Sequence, residues 1–197
     1  MYERYIDEAE LRTLRERYGD FPVEHHTLTV GEMFFERART PVGTGRRAEI
    51  LAVVVRPDGL VLVHTKRFYP PGIYRLLSGG IRTGEPVERA LEREIREETG
   101  QSIAGRCLIG VLTYTILHKS ERIDFASYVY RVDVPNSTVW VEDDEEEISD
   151  LRWVPFSALE EICQQLRQVP EGWRDWGEYR ALGHEFVLRH KARCNLR

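Results

Sequence analysis

Glu94, Glu97 and Glu98 are the residues of this chain whose type and spacing point most directly to chemistry. From about Glu85, positions Val87, Ala90, Leu91, Glu94, Ile95 and Glu98 fall at i, i+3, i+4, i+7, i+8 and i+11, the repeat of one buried helix face, and two of the six are glutamates. Glu97 stands beside Glu98 and three residues after Glu94, so the three carboxylates leave the helix within a sector of about 100°. Glu88, Arg89, Glu92, Arg93 and Arg96 fall on the other side and read as an ordinary solvated face. Packed anions repel, and burying one uncompensated costs several kcal/mol, so something positive must meet them. Either arginines neutralise the cluster, as on any Glu/Arg-rich helix with i,i+4 pairs, or a hard divalent cation does, the arrangement by which carboxylates hold such an ion beside a phosphate.

The residues ahead of the helix favour the second reading. Gly79 and Gly80 allow a sharp turn and expose backbone groups to a ligand, and Gly84 enters the helix with a residue that tolerates positive φ. Gly79, five residues, Glu85, seven residues, then Arg93, Glu94, Ile95, Arg96, Glu97, Glu98, Thr99 and Gly100 together resemble the Nudix box, G-x5-E-x7-R-E-U-x-E-E-x-G-U with U aliphatic. Gln101 is the one departure, at a position that packs rather than reacts.

The resemblance implies an α/β (α+β) fold, an α/β/α sandwich around a mixed β-sheet. It implies Glu94, Glu97 and Glu98 as metal ligands with the Gly79 carbonyl close by, Mg2+ or Mn2+ as cofactor, and Glu85 and Arg93 as structural braces. The implied reaction is attack of water on one phosphorus of a nucleoside diphosphate derivative, with a general base on a loop after the box, for which Glu146 and Glu147 are the candidates. Arg47, Arg67, Tyr69 and Arg75 are candidates for substrate binding, with Arg46, Tyr74 and Tyr114 behind them. The segment around Arg67, Tyr69 and Gly72 is similar to the ADP-ribose and nucleotide-sugar branch, although no proline occurs between Gly100 and Val134, where that branch often has one near the position of Leu117. Two other functions fit the same fold: a nucleotide-sensing binding domain without catalysis, usually marked by lost carboxylates, and a prenyl-diphosphate isomerase, which needs a reactive cysteine.

The elements that position these residues follow from hydrophobic periodicity. Residues 3–17 predict a peripheral helix on Ile6, Leu11 and Leu14, and residues 27–39 a small β element broken at Gly31, with a loop at 41–45. Residues 48–55 and 60–65, joined by Arg56, Pro57, Asp58 and Gly59, predict a hairpin central to the sheet. A short strand at 73–77 leads into the glycines, and the carboxylate helix spans 85–99 with Gly100 as C-cap. Strands at 107–117, 123–134 and 151–154 follow, then helices at 158–167 and 176–193, the last with Trp176, Tyr179, Leu182, Phe186 and Val187 as a packing stripe. The boundaries are an N-terminal helix and β element at 1–45, the main domain at 46–170 and a C-terminal helix packed on it at 171–197.

Composition narrows the rest. With 197 residues, 42% hydrophobic and 31% charged, the chain supports one sizeable core. A net charge of -5, much of it from the acidic run at 142–147, excludes a protein built to bind nucleic acid or an anionic membrane. No segment predicts a membrane span or a signal peptide. Cys107, Cys163 and Cys194 are odd in number and far apart, which predicts neither disulfide nor zinc site and points to a reducing cytoplasm. Leu28 and Val30, then Met33 and Phe35, at period-two spacing give the N-terminal ribbon one apolar face, from which a homodimer is expected.

Overall fold

Along β2 (Arg46–Val55), Ala48, Ile50, Ala52 and Val54 enter one apolar core while Leu51, Val53 and Val55 enter a second. A strand buried on both faces requires a helical layer on each. The computed structural model, which describes residues 6–43, 45–136, 138–140 and 147–196, has that architecture. One layer holds α1 (Glu8–Tyr18) and α3 (Val87–Thr99); the other holds α2 (Glu32–Gly43), α4 (Ala158–Arg167) and α5 (Arg174–His190).

Between them lies a seven-stranded sheet of β1 (Val23–Thr29), β2, β3 (Val61–Lys66), β4 (Arg75–Arg82), β5 (Gly105–His118), β6 (Glu121–Asp133) and β7 (Ile148–Val154), in the order β1-β5-β6-β2-β4-β3-β7. β1 runs parallel to β5 and β2 parallel to β6, and the other neighbours are antiparallel, so the sheet is mixed as expected. The central hairpin is present, but β2 and β3 touch only at Val55 and Val61 before they part and β4 enters between them. That wedge carries the backbone of Gly79 and Gly80 into the middle of the sheet.

The N-terminal segment departs from expectation. Residues 23–29 are not a free ribbon but an edge strand of the main sheet, and residues 32–43, expected as strand and loop, are the helix α2. Val30, Phe34 and Phe35 turn inward together, whereas Met33 is 58% exposed and Phe35 1%, so the supposed period-two pair does not share a face. The geometric ground for a dimer through this ribbon is therefore gone. α3 starts at Val87, two residues later than expected, because Pro86 is its N-cap, and it ends at Gly100, whose φ of 66° lets its N–H reach the Arg96 carbonyl at 2.8 Å.

The cysteines also differ from expectation. Cys107 at the start of β5 and Cys194 in the 3-10 turn after α5 are disulfide-bonded across 87 residues, because that turn packs against β5. This removes the reason for inferring a reducing compartment. Among the described residues no helix is long and apolar enough to cross a membrane.

Candidate active site

Arg93 organises the carboxylates. Its Nε and Nη2 donate to the two oxygens of Glu85 at 2.9 Å each, its Nη1 to Glu94 at 2.6 Å and Glu97 at 3.0 Å, and its Nη2 also to the Gly80 carbonyl at 2.8 Å. The sequence pattern put this arginine on the solvated face. Its long side chain instead reaches back over the helix, and 14% of it is exposed. Glu85 in turn accepts from the Arg82 N–H at 3.0 Å, so one ion pair ties the loop before α3 to the helix and to the glycine strand. The Arg93 hydrogen bonds hold the Glu85 carboxyl below its ordinary range, and Glu85, with Glu94 and Glu97, holds the guanidinium protonated.

The residues present fit a hard divalent cation by two observations. A Cβ built on Gly79 would lie 1.9 Å from the Glu94 carboxylate, so only glycine lets that side chain rest against the strand. The donor set is also all oxygen: Glu94 and Glu97 share the guanidinium of Arg93 with Glu85, and Glu98, next to Glu97 on the same helix, is 1% exposed. Among the described residues no three acidic, histidine or cysteine side chains already converge as a ligand set, because Arg93 draws one oxygen of Glu94 and one of Glu97 to itself. Gln101 is buried yet satisfied, its amide donating to Asn136 at 3.0 Å and to the Thr138 carbonyl, so the departure at this aliphatic position costs little.

A cavity of about 530 Å3 begins at Gly79 and Gly80 and opens on the sheet face covered by α2 and α5. Its walls are aromatic, among them Phe34, Tyr69, Trp173, Trp176 and Tyr179, and of its six charged lining residues only Glu49 is an anion. Glu49 accepts from Ser127 at 2.8 Å, Tyr179 at 2.9 Å and Arg180 at 3.0 Å. His184 on α5 accepts the Leu76 N–H at Nε2 and faces the Arg180 carbonyl with Nδ1; burial, with the positive field of Arg75 and Arg180, moves it down to about 4.

The expected binding residues divide between the two regions. Tyr69, Arg75 and Arg46 line the cavity. Arg47 does not: its guanidinium is engaged with Glu10 at 2.7 and 3.0 Å and with the Glu85 carbonyl at 2.9 Å, bracing α1 against the loop before α3. Arg67 is exposed, and its N–H meets the Glu147 carbonyl at 3.0 Å. Tyr74 donates to Asp150 at 2.6 Å, and Tyr114 is buried against Tyr179; neither lines the cavity. Glu147 is exposed at the entry to β7, and Glu146 lies outside the described residues.

Sequence reasoning missed Glu49, Ser78, Trp173 and Arg180. A lone carboxylate in the aliphatic run of β2 was the available signal for the first. No cysteine supports isomerase chemistry: Cys107 and Cys194 are joined, and the Cys163 thiol, buried between α4 and α5, is pushed up to about 11 by burial and by Glu185.

Comparison with known proteins adds an independent observation. A family model described as the NUDIX domain matches residues 45–176. The NAD-capped RNA hydrolase NudC of Pseudomonas aeruginosa is 33% identical over 116 residues, covering 59% of this chain and 38% of that protein. The chain thus spans well under half the length of that relative. The oxidized purine nucleoside triphosphate hydrolase of Danio rerio is 26% identical over 162 residues, covering 72% of this chain and 90% of that one. Among solved structures, the E. coli dihydroneopterin triphosphate pyrophosphohydrolase shares the fold with a TM-score of 0.50 at 16% identity, covering 74% of this chain and 97% of that one.

Proposed function

Taking as premise that this chain belongs to the Nudix family, we propose that it is a divalent-metal-dependent pyrophosphohydrolase cleaving the diphosphate linkage of a nucleoside diphosphate derivative, of ADP-ribose or nucleotide-sugar type. The observation that carries this reading is the Arg93-braced carboxylate cluster, seated against a side-chain-free strand from which an aromatic, cationic cavity opens.

Glu94, Glu97 and Glu98, with the Gly79 carbonyl, would hold Mg2+ or Mn2+. When bound, the ion supplies charge neutralisation at the diphosphate and a lowered pKa for water. Arg93 sets the positions of Glu94 and Glu97 through its Nη1, and Glu85 fixes Arg93, so both are positioning residues. The cavity's aromatic side chains take the planar part of the substrate and exclude water from it. A carboxylate must accept the proton of the attacking water, and Glu146 or Glu147 is assigned that role.

The reading is tested by incubating the protein with ADP-ribose, nucleotide sugars, dinucleoside polyphosphates, nucleoside triphosphates and coenzyme A, with Mg2+ or Mn2+, and separating the products by chromatography. Release of a nucleoside monophosphate from a diphosphate-linked member supports it. Cleavage of none, with metal present and the fold intact, overturns it.

A further inference from the structure

We infer that Arg75 is an anion-binding residue at the inner end of the cavity, and that it selects substrates whose cavity-bound portion carries a phosphate or carboxylate group besides the scissile diphosphate. The inference rests on the diphosphate reading of the carboxylate face, and its test does not require turnover.

Arg75 is 2% exposed and lines the cavity. Its Nε donates to the Tyr69 hydroxyl at 2.8 Å and its Nη1 to Ser78 Oγ and the Leu76 carbonyl at 2.8 Å each. All three acceptors are neutral. Among the described residues its Nη2 has no hydrogen-bond partner and its charge no carboxylate. The neighbouring buried cation is different, because Arg180 Nη1 is met by both oxygens of Glu49 at 3.0 and 3.1 Å. Arg37 and Arg46, also lining the cavity, are exposed. A buried guanidinium without a counter-anion carries a desolvation cost, and an anionic ligand group would offset it. The fork is already oriented by three hydrogen bonds, so an oxyanion reaching Nη2 meets a donor that need not reorganise. The same positive field contributes to holding His64 and His184 neutral, after burial itself.

This anion end is distinct from the metal-binding face. Ser78 Oγ accepts from Arg75 at 2.8 Å and from Arg180 at 3.2 Å, whereas a Cβ on the next residue, Gly79, would run into Glu94. Arg75 and Arg180 thus meet at Ser78, one residue before the glycine against which Glu94 rests, and Ser78, Gly79 and both arginines line the same cavity. A substrate held at both is read at two anionic groups: its diphosphate against the carboxylate face and a second group at Arg75.

Without metal the carboxylate face repels anions, so binding of an anionic probe to the metal-free protein reports the guanidinium end. The experiment titrates EDTA-treated protein with adenosine, adenosine 5′-monophosphate and adenosine 5′-carboxylate, following tryptophan fluorescence, to which Trp173 and Trp176 in the cavity wall contribute. Both anions should bind at least about ten-fold more tightly than adenosine, and Arg75→Gln should bring all three within about two-fold of one another. A preference for the phosphate alone would assign the source as a phosphate group. Equal binding of all three by the wild type, or a preference that survives Arg75→Gln with its circular dichroism intact, overturns the inference. Should Arg75→Gln not fold, the Arg75 Nε–H resonance of the wild type, assigned by its loss in Arg75→Lys, must shift with the monophosphate and not with adenosine. An Nε–H that moves equally with both removes the anion role. Failure of the hydrolysis panel with this preference intact would overturn the reaction while leaving the binding site standing.

Discussion

Replacing Arg93 with alanine should be among the most costly single changes in the chain. The side chain makes five hydrogen bonds, four to carboxylate oxygens of Glu85, Glu94 and Glu97 and one to the Gly80 carbonyl. Its partners Glu85 and Glu94 are 16% and 8% exposed, so their pairing is only weakly screened. Removing one member of a buried pair costs about 3–5 kcal/mol, because the other is left charged and desolvated. Here several anions are left facing one another. For a chain of this length each kcal/mol moves the melting midpoint by about 2–4 °C, so Arg93→Ala should melt roughly 6–20 °C lower by calorimetry. Millimolar Mg2+ should return part of that loss to the variant, since a cation among the freed carboxylates replaces the lost charge. Glu85 is held below its ordinary 4.5, so the pair stabilises fully above that pH and its contribution is lost as pH falls through the lower folded value. The variant should therefore show a flatter decline of midpoint below pH 4.5 than the wild type. An Arg93→Ala protein melting within about 2 °C of wild type, less than 1 kcal/mol on this scale, would refute the bracing role.

Other expectations follow from the same structure. On the proposed metal-ligand role, Glu97→Gln and Glu98→Gln should abolish metal-dependent turnover while leaving the metal-free midpoint unchanged or raised, because each removes a charge assigned to the metal and relieves repulsion; undiminished activity of the double variant would contradict the ligand assignment. His184, moved from 6.5 to about 4, stabilises fully above 6.5 and loses roughly 3 kcal/mol as pH falls toward 4. His184→Gln keeps an acceptor for the Leu76 N–H and should flatten that acid slope in a series of pH-dependent melts; an unchanged slope would contradict it. Reducing the Cys107–Cys194 bond, which closes a span of 87 residues, should lower stability by roughly 2–4 kcal/mol. Identical melting curves with and without reductant, for protein whose bond is confirmed by mass, would contradict it.

The main sheet, α3 and its Gly100 stop, and the helix at 158–167 were legible because their signals are local: alternation, a 3.6-residue repeat and cap chemistry. α2 was not, because the apolar residues of 28–35 fit both a period of two and a helical repeat, and the exposure of Met33 is fixed by tertiary contacts. The carboxylate set could be read from spacing, but the role of Arg93 could be placed only by resemblance, since its Cα lies off the buried stripe and its long side chain bridges the difference. The cavity was least legible. Its walls come from α2, the end of β3, β4 and α5, and segments distant in sequence carry no shared local signal. Trp176 and Tyr179 were read as packing residues, and they pack while also lining the cavity. The disulfide was missed for the same reason, since 87 residues of separation say nothing of proximity in space.

The central claim is that Glu94, Glu97 and Glu98 hold the metal that diphosphate cleavage requires. Its most direct test is a Mn2+ titration followed by the electron paramagnetic resonance of the free ion, run on the wild type and the Glu97→Gln/Glu98→Gln double variant at equal concentration. The account predicts saturable Mn2+ binding by the folded wild type and a loss of at least about ten-fold in affinity, roughly 1.4 kcal/mol, in the equally folded variant. Identical titrations for the two proteins would contradict it.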